Sequence, residues 1–192
     1  VPLPKIPNLV EFGTIHNLQW VIAEAKLNQA VELVEADEVW QGELLLHDVI
    51  NISRKIGYNS LQGRAYRWLG NAEVQRSQVQ TSLKHYLTAY DLLENSEFEI
   101  QIAMTLNNIA SLYMELSDWD RAKTYLDQAL KGYLNSQEKY DNSLFLAIMY
   151  ANLSVINFGM EKYEESERYF EEAAKLSMAT GSVRIKHNSV SN

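Results

Sequence analysis

The chain has 192 residues, 46% hydrophobic and 22% charged, with a net charge of -8 and no cysteine. This composition is that of a folded chain, and its acidic balance argues against nucleic-acid binding, because phosphate contacts need a basic surface. The lack of thiols excludes disulfides and Cys-ligated zinc or iron-sulfur centres, and no run of about 18 apolar residues is present to span a bilayer.

All three prolines, Pro2, Pro4 and Pro7, stand in the first seven residues. Proline removes a backbone donor and clashes inside helices, so residues 1–12 are expected to be an extended segment, and helix is expected beyond them. The chain opens on Val1 rather than Met, which suggests a longer protein that has been trimmed. Residues 13–180 read as a helical array of approximate units 17–57, 60–97, 98–141 and 144–180. In the first unit, Val39, Gly42, Leu46 and Val49 share one face of a second helix. Its first helix departs from the later pattern, with Lys26 and Gln29 at slots that are apolar downstream. The second unit sets Tyr66, Leu69 and Gly70 on a first helix, and Val79, Ser82, Tyr86 and Ala89 on a second. The third is the clearest: Leu106, Ile109, Ala110 and Tyr113 share a face, Ser117-Asp118 punctuates, and Trp119, Ala122, Leu126 and Ala129 follow on another face. The fourth repeats this as Tyr150, Leu153 and Ser154, then Tyr163, Ser166, Phe170 and Ala173, both sets expected in the core. A stop is expected at Gly181, leaving 181–192 as a cap or the truncated start of a further helix.

The small residues at 42, 82, 122 and 166 are spaced by 40, 40 and 44 residues. Two amphipathic helices joined by so short a turn fold back antiparallel, and small residues let them approach closely. "LNNIASLY" with "WDRAKTYLDQA", "YRWLGNAEV" with "VQTSLKHYLTA", and "YANLSVIN" with "YEESERYFEEA" resemble tetratricopeptide repeats over about four-fifths of the chain. The units are longer than the usual repeat of about 34 residues and lack its closing proline, in the style of bacterial regulatory and signalling proteins. The resemblance implies an all-α fold of antiparallel helical hairpins stacked as a right-handed superhelix.

It also implies that the first helices line a concave groove. The residues expected to face that groove and bind a peptide are Arg64, Arg67 and Asn71 in the second unit, Met104 and Asn108 in the third, and Ile148, Asn152 and Val155 in the fourth. Asparagines carry donors and an acceptor that can bracket a peptide backbone, Met, Ile and Val receive apolar side chains, and arginine can grip a carboxylate bidentately. Arg67, Asn71 and Asn108 match slots of the tetratricopeptide domains that hold chaperone tails. Ile148 and Asn152 stand where that pattern needs two basic residues, so a looser peptide-binding mode is the expectation.

Nothing in the sequence has the spacing of a catalytic or cofactor site. His16, His47, His85 and His187 lie in different parts of the chain, away from metal-ligand spacing, and "EKYEESERYFEEAAK" reads as a solvated helix face. No enzyme activity, metal or cofactor is expected. The function expected is a non-catalytic recognition module for a peptide or protein segment, the regulatory or sensory part of a larger protein with a fused output domain. The alternative is a structural scaffold, or a self-association domain forming a homodimer, that uses the array ends or the convex face, with Trp20, Trp40 and Tyr90 as contacts. A cytoplasmic location is expected first, with a periplasmic or extracytoplasmic sensory domain as the alternative.

Overall fold

The computed structural model describes residues 6–136 and 143–190, with side chains for 9–136 and 143–179. Among the described residues all regular structure is helical. The helices are α1 (Ile6–Ile15), α2 (Gln19–Glu35), α3 (Val39–Ile56), α4 (Asn59–Gln75), α5 (Val79–Leu93), α6 (Glu99–Glu115), α7 (Trp119–Asn135), α8 (Ser143–Gly159) and α9 (Tyr163–Val190). The chain divides into two compact units, Val1–Thr105 and Leu106–Asn192.

Two expectations at the ends are corrected. A helix begins at Ile6, where the prolines suggested extended chain. Pro7 is the second residue of that helix, in the first turn, where a missing N–H costs nothing because the first four N–H groups have no intrahelical partner. At the other end, α9 runs through Gly181 to Val190 instead of stopping. One glycine costs only about 1 kcal/mol in a helix interior, too little to end a helix with no proline behind it.

The ends of α2, α4, α6 and α8 close in the same way. Asp37, Ser77, Ser117 and Glu161 adopt left-handed φ of 65°, 57°, 57° and 61°. Ser77 N–H donates to Val74 O and Gln78 N–H to Glu73 O, each at 2.9 Å, and the same pair recurs as Ser117 to Met114 and Asp118 to Tyr113, at 2.9 and 2.8 Å. This reciprocal pattern satisfies the last carbonyls of the helix and sends the chain back antiparallel.

In unit 1, α2 packs against α3 and α4 against α5 as hairpins, and α3 packs against α4. The core is built from Leu27, Ala30, Val34, Leu46, Leu61 and Leu69, all buried. The small slots set the hairpin crossings. Gly42 lies against Val34 and the Ala30 carbonyl, and a Cβ on Gly70 would overlap the Tyr86 ring. Ser82 Oγ closes the second crossing by donating to Gly70 O at 2.8 Å. The polar slots of the first unit lie on α2, which packs against the ten-residue α1 and against α3. Gln29 is exposed there, and Lys26 pairs with Asp48 at 2.5 Å.

In unit 2, α8 packs against α9 and against α7. Leu126, Met149, Leu153 and Ile156 fill its core. Ser154 and Ser166, the small slots of the fourth hairpin, donate to each other's carbonyls at 2.9 Å. Ser166 and Ala173 are buried as expected, but Tyr163 and Phe170 are 58% and 64% exposed, which corrects their assignment to the core. The small Ser166 packs directly on Ser154 of α8, whereas Tyr163 touches α8 through the Phe158 ring and stays mostly exposed.

Candidate interaction surface

The positions expected to face a groove lie on the first helix of each hairpin, and the structure joins most of the polar ones to the protein itself. On α4, Arg64 Nη1 donates to both carboxylate oxygens of Glu24 on α2, at 2.8 and 3.0 Å. Arg67 is only 6% exposed. Its Nη2 donates to Gln101 Oε1 on α6 at 3.1 Å, and its Nε has no acceptor among the described residues. The guanidinium lies 5.3 Å from the centre of the Trp68 ring. Burial lowers its pKa to about 10, against a raising effect of Tyr86 and with a smaller lowering by Arg64. The group therefore stays a cation at neutral pH, held by a neutral amide and an aromatic face. Asn71 accepts a hydrogen bond from the Tyr86 hydroxyl at 2.8 Å, and Gln75 donates to Val34 O at 3.0 Å.

Unit 2 continues the theme. Asn152 Nδ2 on α8 donates to Asn107 Oδ1 on α6 at 3.0 Å, and Asn107 is buried. Met104 and Asn108 are half-buried. Glu24, Gln101, Tyr86 and Asn107 are thus the partners of predicted residues. Glu24 stands one 40-residue spacing before Arg64, a signal of their shared slot that was available in the sequence.

The apolar members are different. Leu144, Ile148, Ala151, Val155 and Phe158 fall at i, i+4, i+7, i+11 and i+14 of α8, a single stripe. Ile148, Val155 and Phe158 are 45%, 49% and 64% exposed. Phe158 meets Tyr163, the first residue of α9, edge to face with ring centres 5.6 Å apart, so the stripe continues onto α9. Exposed apolar side chains gathered into one patch mark an interaction surface, whereas scattered ones do not.

Elsewhere in unit 1, Trp20 lines a surface cleft of about 540 Å³ with Leu18, Ile56 and Tyr58. Trp40 is exposed and Tyr90 half-buried. His85 stacks on Tyr66 at 5.9 Å, and burial lowers its pKa. Among the described residues no three His, Asp or Glu side chains gather to hold a metal ion, and no helix is long and apolar enough to cross a membrane.

These features were compared with known proteins. No curated protein sequence matches the chain. Among solved structures, BtubC from P. vanneervenii superposes with a TM-score of 0.73 at 17% identity, covering 85% of this chain and 66% of that one. RapI in its apo form also gives 0.73, at 15% identity, with 90% and 69% covered. MamA gives 0.50 at 14% identity, with 92% of each chain covered. The chain therefore spans about two thirds of the length of BtubC and of RapI. At such identities the likeness is one of fold. The model of the tetratricopeptide repeat matches residues 61–135 and again 101–179, more than half of the sequence, in register with the hairpins described above. The chain belongs to the tetratricopeptide repeat family.

Proposed function

We propose that this chain is a non-catalytic recognition module that binds a peptide or protein segment, and that it serves as the regulatory or sensory part of a larger protein. The observation that carries the reading is the exposed apolar stripe of α8, with Ile148 and Val155 at its centre. Water around such a stripe is released when a partner covers it, at roughly 25 cal/mol per Å² of apolar surface. In this reading the polar links of Arg64, Arg67 and Asn71 hold the helices of unit 1 together, and that of Asn152 to Asn107 does the same within unit 2. The exposed indoles of Trp20 and Trp40 support the second reading, a scaffold that assembles complexes through other faces.

The test is mass spectrometry of peptides and proteins retained by the purified chain, compared with an Ile148→Ser/Val155→Ser variant. Both positions are exposed, so circular dichroism of the variant should be unchanged. A partner lost from the variant supports recognition through α8. An identical set from both chains overturns it and favours the scaffold.

A further inference from the structure

The second helix of each hairpin turns one stripe away from the core, and on α3 that stripe has an unusual composition. It consists of Trp40, Leu44, His47, Asn51 and Arg54, at i, i+4, i+7, i+11 and i+14, and all five are exposed. Trp40 and Leu44 are 65% and 51% exposed. The same two slots hold Gln80 and Lys84 on α5, Asp120 and Thr124 on α7, and Glu164 and Arg168 on α9, all exposed and all polar. The slots are open to solvent in every described hairpin, so the exposure of Trp40 and Leu44 belongs to the hairpin itself and not to the ends of the array. What is particular to α3 is that large apolar side chains stand where the other hairpins carry polar ones.

The charges along α3 are sorted by end. Glu35, Asp37 and Glu38 are exposed around its start, Arg54 and Lys55 are exposed in its last turn, and none of the five forms an ion pair among the described residues. Between these ends the carboxylates of Glu43 and Asp48 are taken up by Arg76 and Lys26. Glu38 and Lys55 lie roughly 25 Å apart along the helix at 1.5 Å per residue, well beyond a Debye length of about 8 Å, so each end keeps its own sign. A stripe with an acidic end, an apolar pair and a basic end is complementary to a copy of itself laid antiparallel, whereas a parallel copy sets like charges together.

We infer that α3 is the contact of a two-fold symmetric homodimer, in which the α3 helices of two copies of this chain pack antiparallel. Centred on His47, the pairing sets Trp40 of one copy against Arg54 of the other, whose guanidinium and apolar stem cover the indole. It seats Leu44 between His47 and Asn51 of the second copy and brings Lys55 to Glu38. Residues spaced alternately by four and three form the kind of seam on which two helices pack at a crossing near 20°. One helix-on-helix contact is small beside the roughly 1,600 Å² of a standard interface, so the dimer is a weak one that needs concentrated protein. The inference goes beyond the recognition reading, which uses α8, and stands or falls apart from it.

The test is sedimentation of the whole chain from about 5 to about 500 µM, which should show a monomer–dimer equilibrium that Trp40→Ser weakens at least about tenfold. Charge reversal then reads the antiparallel arrangement. Glu35→Lys/Glu38→Lys in one chain and Arg54→Glu/Lys55→Glu in another should each lose at least about tenfold in self-association, and an equal mixture of the two should regain it as a heterodimer. Every altered residue is exposed, so circular dichroism of the variants should match that of the natural chain. A monomer throughout the range, a dimer indifferent to Trp40→Ser, or charge variants that do not recover on mixing overturns the inference. So does a monomeric chain that retains some other protein through Trp40, which makes that protein the occupant. Ile148→Ser/Val155→Ser should leave the dimer unchanged; a dimer lost from that variant alone places the contact on α8 and also overturns the inference.

Discussion

Arg67 illustrates how little a side chain's type says about its role until its surroundings are known. Arginine on the groove face of a repeat suggests a grip for a carboxylate, yet here the guanidinium is buried against Trp68 and Gln101 with one N–H unsatisfied among the described residues. Removing a charge from water without pairing it to an opposite charge costs several kcal/mol, so an apolar side chain of similar volume should be preferred. Arg67→Met is expected to stabilise the chain by about 1–3 kcal/mol, read as a raised denaturation midpoint; a loss of stability would show that the Gln101 link outweighs the burial. Asp118 behaves oppositely. It caps α7 by accepting from Arg121 N–H at 3.1 Å and from Arg121 Nε at 2.6 Å. The Arg121 side chain, and then its backbone N–H, hold the Asp118 carboxyl below its ordinary value. A carboxyl depressed in the folded state adds stability above its unfolded pKa and loses it as pH falls through the lower folded one. Melting temperatures followed into acid should therefore fall less steeply for Asp118→Asn than for the natural chain; identical curves would remove the pair from any account of acid stability.

At the scale of the element, the turns and crossings carry the strain. Ser77 and Ser117 hold left-handed φ without being glycine, whereas Gly57 ends α3 at 70° with nothing within 4 Å of where a Cβ would stand. An L side chain in that conformation costs roughly 1–2 kcal/mol. Ser117→Gly should therefore raise stability by about 1 kcal/mol and Gly57→Ala should lower it by about the same amount, both by chemical denaturation. Equal and opposite shifts would place the effect in the backbone alone, while no gain from Ser117→Gly would mean that the serine has an offsetting role. Gly70 is a stricter case, because the Tyr86 ring over it is tied to Asn71 and cannot swing aside without breaking a 2.8 Å hydrogen bond. Gly70→Ala should cost about 1–3 kcal/mol.

For the molecule as a whole, the repeat makes one slot a controlled experiment. Stacked repeats draw stability from their neighbours, so one slot means different things where a neighbour covers it, as at Leu126, and where it is exposed, as at Phe170. Leu126→Ala empties a buried slot and should cost about 2–5 kcal/mol. Phe170→Ser alters an exposed one and should stay within about 0.5 kcal/mol. If both variants lose comparable stability in denaturant, Phe170 is covered in solution by the chain itself.

The sequence by itself determined the hairpins and their slots. The spacing of Gly42, Ser82, Ala122 and Ser166 reflects where helices must approach, and amphipathic periodicity is a local property of the chain. Only the tertiary structure decided which face of each helix meets solvent, because burial depends on what packs next. Tyr163 and Phe170 follow the same pattern as Trp119 and Leu126, yet they end up exposed. It also decided that Arg64, Asn71 and Asn152 bond to Glu24, Tyr86 and Asn107. Those partners lie from 15 to 45 residues away. Contacts at such separations arise from the stacking of helices, which no window along the sequence contains. The ends followed the same logic: Pro7 was read as excluding helix, though at the first turn its missing N–H is harmless, and a single Gly181 was read as a stop that its small cost could not enforce.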